Sequence, residues 1–134
     1  MEQYPPPPSP DTPTNRPGMV TAAAVLLFIV GGLQCLAGLI ALFGGTVLVG
    51  SFGTGVLILI GLVVLAIGLL HIYAGVKVLD LQEQGRIIGI VIAAIGAFLG
   101  LLRLAGRTRS GILGLLIDAF ILYALITNAQ YFRP

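Results

Sequence analysis

Four long apolar segments dominate the chain, and each is bounded by polar or glycine-rich sequence. The segments cover residues 19–43, 56–79, 87–102 and 112–128. At 1.5 Å per residue, the first gives about 37 Å of helix, enough to cross a hydrocarbon core of about 30 Å. The third is short, but Arg86 and Arg103 at its ends can snorkel to the two membrane interfaces. The pattern predicts an all-α fold, an integral membrane bundle of four transmembrane helices.

The connections between these segments are short. Residues 44–55 hold five glycines and no charged residue, which predicts a tight turn at the membrane interface. Residues 77–86 form a polar loop, and residues 103–111 carry three arginines. Because short connections join neighbouring helices, the domain of residues 19–134 is expected to run up and down across the membrane.

The distribution of charge supports a lipid environment. Charged residues make up 9% of the 134 residues, against about 25% in a typical soluble domain. Residues 17–76, 60 in succession, contain no Lys, Arg, Asp or Glu. A soluble domain of this size has too little polar sequence left to cover such a stretch. The lipid bilayer is therefore the first predicted partner.

Charge and cysteine content exclude other classes. The net charge of +2, without a basic stripe, predicts no nucleic-acid binding. The single cysteine, Cys35, cannot form an internal disulfide and is expected to behave as a small hydrophobe. A cleavable signal peptide would begin with basic residues, whereas this chain begins with about 18 polar, proline-rich ones. The first apolar segment is interpreted as a retained helix.

Residues 1–18 contain all but one of the eight prolines. Proline fixes φ and lacks an N–H group, so this stretch favours polyproline II and predicts a disordered proline-rich tail. The alternative is a docking ligand for a proline-recognising groove, because PxxP spacing occurs at Pro5/Pro8 and Pro7/Pro10.

An even number of spans places both termini on one side of the membrane. With cytoplasmic termini, four basic residues lie inside and three outside; they are Arg16, Lys77, Arg86 and Arg133 against Arg103, Arg107 and Arg109. That difference alone hardly decides the orientation under the positive-inside rule. Cytoplasmic termini are favoured because the first connection is chargeless and the tail need not then be translocated.

Glycines recur every seven residues within three of the segments. They are Gly31 and Gly38, then Gly61, Gly68 and Gly75, then Gly89 and Gly96. A seven-residue period keeps one face of each helix small along its length. Helices in lipid associate through close backbone packing over small residues. These glycines are predicted to form the helix-packing surfaces.

Polar groups inside a membrane are costly, so each is a functional candidate. The candidates are Asp118, Arg103, Gln34 and His71. Asp118 lies about 10 Å into the fourth span, where a carboxylate should pair or take up a proton. Pairing with Arg103, Arg107 or Gln34 would lock the fourth helix in place; the alternative is a proton- or cation-coupled site.

His71 is expected near the opposite membrane face, about 8 to 10 Å from the level of Asp118, as a hydrogen-bonded packing residue or an interfacial anchor. Because His71, Cys35 and Asp118 are not expected at one level, the sequence predicts no metal site. No nucleophile has a base within reach, so no catalytic residue is predicted, and neither is a cofactor.

Three stretches carry a resemblance to a known group of proteins: RPGMVTAAAVLLFIVGG, LDLQEQGRIIGIVIA and YALITNAQYFRP. In these stretches and in its layout, the chain resembles small four-span actinobacterial membrane proteins of unknown function. The resemblance implies a bacterial plasma-membrane location, with termini inside, and no particular activity.

Two functions follow as hypotheses. The first is a structural, accessory or regulatory component of a larger membrane complex, bound to a membrane-protein partner or to copies of itself. The second is a small dimeric proton- or cation-coupled transporter that uses Asp118. Small multidrug exporters also have four short spans, but their essential glutamate lies in the first span, which contains no acid here. An enzyme or metal-handling protein is the least favoured class.

Overall fold

The computed structural model of the protein describes residues 17–106 and 109–133, with only the backbone described for residues 45–54 and 110. The described residues form three α-helices and one short 3-10 helix. The elements are α1 (Gly18–Leu79), α2 (Glu83–Ala105), α3 (Ser110–Thr127) and a 3-10 helix (Ala129–Tyr131). The prediction of an all-α fold is confirmed. The predicted tail lies outside the described residues, apart from Pro17 and Gly18.

The element α1 is not a straight rod, although its backbone is helical throughout its 62 residues. In a straight helix Gly31 and Gly68 would lie about 55 Å apart. Instead, a Cβ atom on Gly31 would lie 2.8 Å from the carbonyl oxygen of Gly68. The chain therefore reverses between two apolar limbs, Gly18–Gly44 and Gly55–Leu79. The predicted turn over residues 44–55 corresponds to this reversal, but without a break in the helical backbone.

Glycines bring the two limbs of α1 into backbone contact. We name Gly31, Gly38, Gly61 and Gly68 the glycine seam. A Cβ atom on Gly38 would lie 2.9 Å from the carbonyl oxygen of Gly61, and one on Gly68 would lie 2.8 Å from that of Gly31. Any larger residue would force the limbs apart, since no side-chain rotation can relieve a clash with backbone.

The junction of α1 and α2 is a tight C-terminal cap. The N–H of Leu81 donates to Val78 O at 3.0 Å, and the N–H of Gln82 donates to Lys77 O, also at 3.0 Å. This pair of bonds is the Schellman motif, which requires a left-handed residue after the helix. Leu81 occupies that position with φ 55°. Its side chain is buried, which offsets the backbone strain that a glycine would avoid.

The chain's C-terminal residues close the same end of the bundle. The N–H of Arg133 donates to Leu81 O and the N–H of Glu83 donates to Arg133 O, each at 2.8 Å. Phe132 is buried beside them, in one core with the first turns of α1. That core comprises Val20, Ala23, Ala24, Leu27, Ala74, Val78, Leu81, Ile92, Ala93, Ile121, Ala124, Leu125 and Phe132. Both ends of the described chain therefore meet at one end of the bundle.

The outer surface of the bundle is apolar. Large hydrophobic side chains such as Leu113, Leu59 and Val56 are more than 60% exposed. Both limbs of α1 and the whole of α2 are long and apolar enough to cross a membrane, whereas the described apolar part of α3, Gly111–Thr127, is shorter. Such a surface is stable in lipid and unstable in water. The chain is thus a small helical protein suited to a membrane.

Candidate functional site

A cavity of about 510 Å³ lies between the limbs of α1 and the pair of α2 and α3. We call it the polar cavity, because all four intramembrane polar candidates line it: Gln34, His71, Arg103 and Asp118. In the sequence these four residues lie far apart, in different apolar segments or at their ends. The structure brings them together around one space, whose volume is that of a small-molecule site.

One layer of the bundle is tightly packed and closes the cavity on the side of the chain termini. A Cβ atom on Gly89 would lie 2.7 Å from Leu125 Cδ1, 3.7 Å from Leu27 Cδ1 and 4.0 Å from Val78 Cγ2. The last three side chains are fully buried. We call these four residues, one from each helical segment, the packed layer.

The next layer is polar. Its four residues lie seven positions from the packed layer along their own segments. Gln34 follows Leu27 and Gly96 follows Gly89, whereas His71 precedes Val78 and Asp118 precedes Leu125. Seven residues are two turns, about 10 Å of rise with a rotation of only about 20°, so these residues keep the same inward face. All four line the cavity. We call them the polar layer.

His71 and Asp118 both line the cavity, although the sequence predicts them near different faces of the membrane. Their offset of about 8 to 10 Å along the membrane normal stays a prediction. The helix register itself is set by close contacts, in which Gly89 of α2 meets Leu125 of α3 and Gly85 of α2 meets Val78 of α1.

Asp118 occupies space that only a glycine at position 96 leaves open. A Cβ atom on Gly96 would lie 2.9 Å from Asp118 Cγ and would also clash with the carboxylate oxygens. Within the described residues, Asp118 forms no hydrogen bond or ion pair, so the expected pairing with Arg103 or Gln34 is absent. Arg107, the third expected partner, lies outside the described residues.

Arg103 lies at the end of the cavity away from the packed layer. It follows Gly96 by two turns of α2, and a Cβ atom on Gly111 would lie 3.1 Å from Arg103 Cβ. Arg103 is exposed. Its separation of about 10 Å from the polar layer along the helix axis explains why it does not pair with Asp118.

His71 is buried and held by its own helix. Its Nδ1 lies 2.8 Å from the carbonyl oxygen of Ile67, and the residue is 5% exposed. Since a carbonyl can only accept, Nδ1 carries the proton. In the neutral ring, Nε2 is then an acceptor, and it has no partner among the described residues. The prediction of a hydrogen-bonded, buried histidine agrees with this geometry.

Gln34 is left unsatisfied. Its Oε1 is buried and has no hydrogen-bond partner among the described residues. A buried acceptor without a partner costs about 1–3 kcal/mol. A polar layer that served only to join helices would satisfy such a group from within. Gln34, His71 and Asp118 carry acceptors without partners among the described residues, and all three residues line the same cavity.

Cys35 lies beside the glycine seam and is not among the residues that line the cavity. Its Sγ would lie 2.8 Å from a Cβ atom on Gly68, so it fills space between the limbs as a small hydrophobe does. No group of three His, Cys, Asp or Glu side chains that could hold a metal occurs within the described ranges. The polar side chains of the described lining are an amide, an imidazole, a guanidinium and a carboxylate, which can form hydrogen bonds and charge pairs.

Comparison with known proteins places the chain in a family. No curated protein and no solved structure matches it. A domain of unknown function, DUF7144, matches residues 19–130, which include every residue of both layers. The match covers most of the chain, from the start of α1 to the 3-10 helix. The chain therefore belongs to the DUF7144 family.

Proposed function

We propose that this protein is a four-span integral membrane protein of a bacterial plasma membrane, of the actinobacterial type that it resembles. In this proposal it is a small proton- or cation-coupled transporter whose polar layer is the binding site. One observation carries the proposal: Asp118, Gln34 and His71 line one cavity within an apolar bundle, and the Asp118 carboxylate, Gln34 Oε1 and His71 Nε2 have no partners among the described residues.

The fourth span is proposed to be α3. Its 18 residues give about 27 Å, slightly less than the hydrocarbon core. A short span is accommodated by local thinning of the bilayer and by flanking polar residues at the interfaces. Arg109 lies immediately before α3, and Asn128 follows it. Such flanking groups supply the anchoring that a short helix needs.

A site for coupled transport must hold polar groups that are accessible from one side of the membrane and are not hydrogen-bonded or ion-paired with each other. The packed layer blocks the cavity toward the chain termini, since its side chains are fully buried. Toward Arg103 the cavity is more open, because a Cβ atom on Gly114 would meet nothing within 4 Å. If the termini are cytoplasmic, the described conformation opens toward the outside of the cell.

Transport would require a second conformation that opens the packed layer. The glycine seam suits such a motion, because limbs in backbone contact can slide or rotate with little loss of packing. A dimer, the expected minimal assembly, would supply further contacts through the exposed apolar faces. The protein is not proposed to be an enzyme.

The accessory role in a larger membrane complex stays a prediction. An accessory role does not require the polar layer to bind an ion, so substitutions in the polar layer would affect only the stability of the protein. Purification from native membranes in mild detergent tests it directly. A larger complex recovered at fixed stoichiometry would support the accessory role, whereas a homodimer alone would argue against it.

The transport proposal is tested in liposomes that contain the purified protein. Proton and sodium fluxes are followed with pH- and sodium-sensitive dyes trapped inside, under an imposed gradient and membrane potential. The test variant is Asp118→Asn, which keeps the shape of the side chain and removes the ionisable group. The matched control is Asp80→Asn, the same chemical change at an exposed residue just after α1.

We expect wild-type protein and Asp80→Asn to conduct ions, and Asp118→Asn to lose the flux while keeping its helical content and oligomeric size. Equal fluxes in all three proteins would show that the polar layer is not part of the ion pathway. Absence of any flux with the wild type would refute the transport proposal and leave the accessory role.

A further inference from the structure

The polar layer offers acceptors to a ligand. Asp118 supplies a carboxylate, Gln34 an amide oxygen, and His71 the Nε2 of its neutral ring. A ligand that satisfies all three must carry several N–H or O–H donors. An ammonium group has donors, no acceptor and a positive charge, so it matches this set.

The walls of the cavity specify the rest of the ligand. Around the polar layer the lining is aliphatic, with Val30, Val64, Ile67, Ile95, Leu99 and Ile117 among its residues. The volume, about 510 Å³, is many times the roughly 30 Å³ of one water molecule. A bare metal ion or proton would leave these walls uncovered, whereas an apolar body of drug-like size would cover them.

Charge balance fixes the sign of the ligand. Among the described residues, Asp118 is the only carboxylate that lines the cavity, and Arg103 lies at its open end, about 10 Å from the polar layer. A carboxylate in an apolar site is stabilised by one opposite charge in direct contact. An anion would approach Asp118 with no cation of the described lining at that level to hold it.

We propose that the polar cavity binds a lipophilic primary or secondary amine in its protonated form. The ammonium group is held by Asp118, Gln34 and His71, and the apolar body lies along the aliphatic walls. The proposal rests on the proposed function, whose cation it identifies as organic. The ligand enters past Gly114, where the cavity lining leaves open space.

The experiment measures binding to the full chain in lipid nanodiscs, with empty nanodiscs as the reference for partitioning into lipid. The probes are 4-phenylbutylammonium, 4-phenylbutanol and 4-phenylbutyrate, which share one apolar body and differ in charge. We expect the ammonium to bind at least about tenfold more tightly than the alcohol, because a charged hydrogen bond at a buried site contributes that much or more. We expect the butyrate to bind least.

Three variants test the geometry. Asp118→Asn should weaken binding of the ammonium at least about tenfold and leave binding of the alcohol unchanged. Gly114→Leu should block all three probes, whereas Gly32→Leu should block none. Gly32 also has open space around it, but it does not line the cavity. Circular dichroism and size-exclusion profiles confirm that each variant is folded.

The outcomes separate this inference from the transport proposal. Equal affinities for the three probes, tighter binding of the butyrate, or ammonium binding that Asp118→Asn leaves unchanged would overturn the inference. If the ammonium fails to bind while liposomes still conduct protons or sodium through Asp118, the inference is wrong and transport of small ions stands. If the ammonium binds but no flux occurs, the ligand class stands and the transport proposal fails.

Discussion

Two adjacent glycines in the first limb of α1 provide a sharp test of the packing. Gly31 lies in the glycine seam, where a Cβ atom would lie 2.8 Å from Gly68 O and 2.9 Å from both His71 Cβ and Ile72 Cγ1. At Gly32, the next residue, a Cβ atom would meet nothing within 4 Å. The substitutions Gly31→Ala and Gly32→Ala therefore add the same methyl group to the same helix in opposite surroundings.

The magnitudes follow from these distances. Carbon atoms pack best at about 3.5–4.0 Å, so an alanine at position 31 requires the limbs to separate by roughly 0.6 Å or more. One of the clashing groups is backbone, which cannot rotate away. Overpacking of this kind costs about 1–3 kcal/mol. At position 32 the alanine restricts the unfolded chain and is expected to stabilise by about 0.4–1 kcal/mol. The two variants should differ by about 1.5–4 kcal/mol.

Two measurements check this difference. Titration with sodium dodecyl sulfate in mixed micelles, followed by circular dichroism, gives the free energy of unfolding of each variant. The rate of maleimide labelling at Cys35, the chain's only cysteine, reports local opening, because its Sγ lies against Gly68 in the seam. Gly31→Ala should unfold at lower detergent and label faster than wild type, while Gly32→Ala should do neither. Equal unfolding free energies and labelling rates would refute the close packing of the limbs.

Two further substitutions test the polar layer and the closed end of the bundle. Gly96→Ala should displace the carboxylate of Asp118 and abolish cation flux in liposomes, whereas Gly32→Ala, with open space around it and outside the cavity lining, should leave the flux unchanged. Phe132→Ala removes a buried ring from the core beside the α1–α2 junction and should lower the free energy of unfolding by about 3 kcal/mol. Tyr131→Ala, at a residue 42% exposed, should change it by less than about 1 kcal/mol in the same titration. Similar losses from the two aromatic substitutions would argue that Phe132 is not part of the core.

The spans and the packing glycines could be predicted because their signals are local. A run of apolar residues needs lipid whatever its neighbours are, so the limbs of α1 and the helix α2 follow from composition and length. The seven-residue spacing of Gly31 and Gly38 marks one face of one helix, again without knowledge of the partner. The capping motif at Leu81 could not be predicted, because a leucine in a left-handed conformation carries no sequence signal.

The sequence by itself determined that the helices of this protein are apolar enough to cross a membrane, and it also determined their small faces and the few polar residues among them. Only the tertiary structure decided how those residues meet. The axial register of one helix against another is set by non-local contacts, such as that of Gly89 with Leu125, and loop lengths do not reveal it. That register brings Gln34, His71 and Asp118 to the lining of one cavity. The same residues at another register would be separate packing groups, because a shift of one turn moves a side chain by about 5.4 Å.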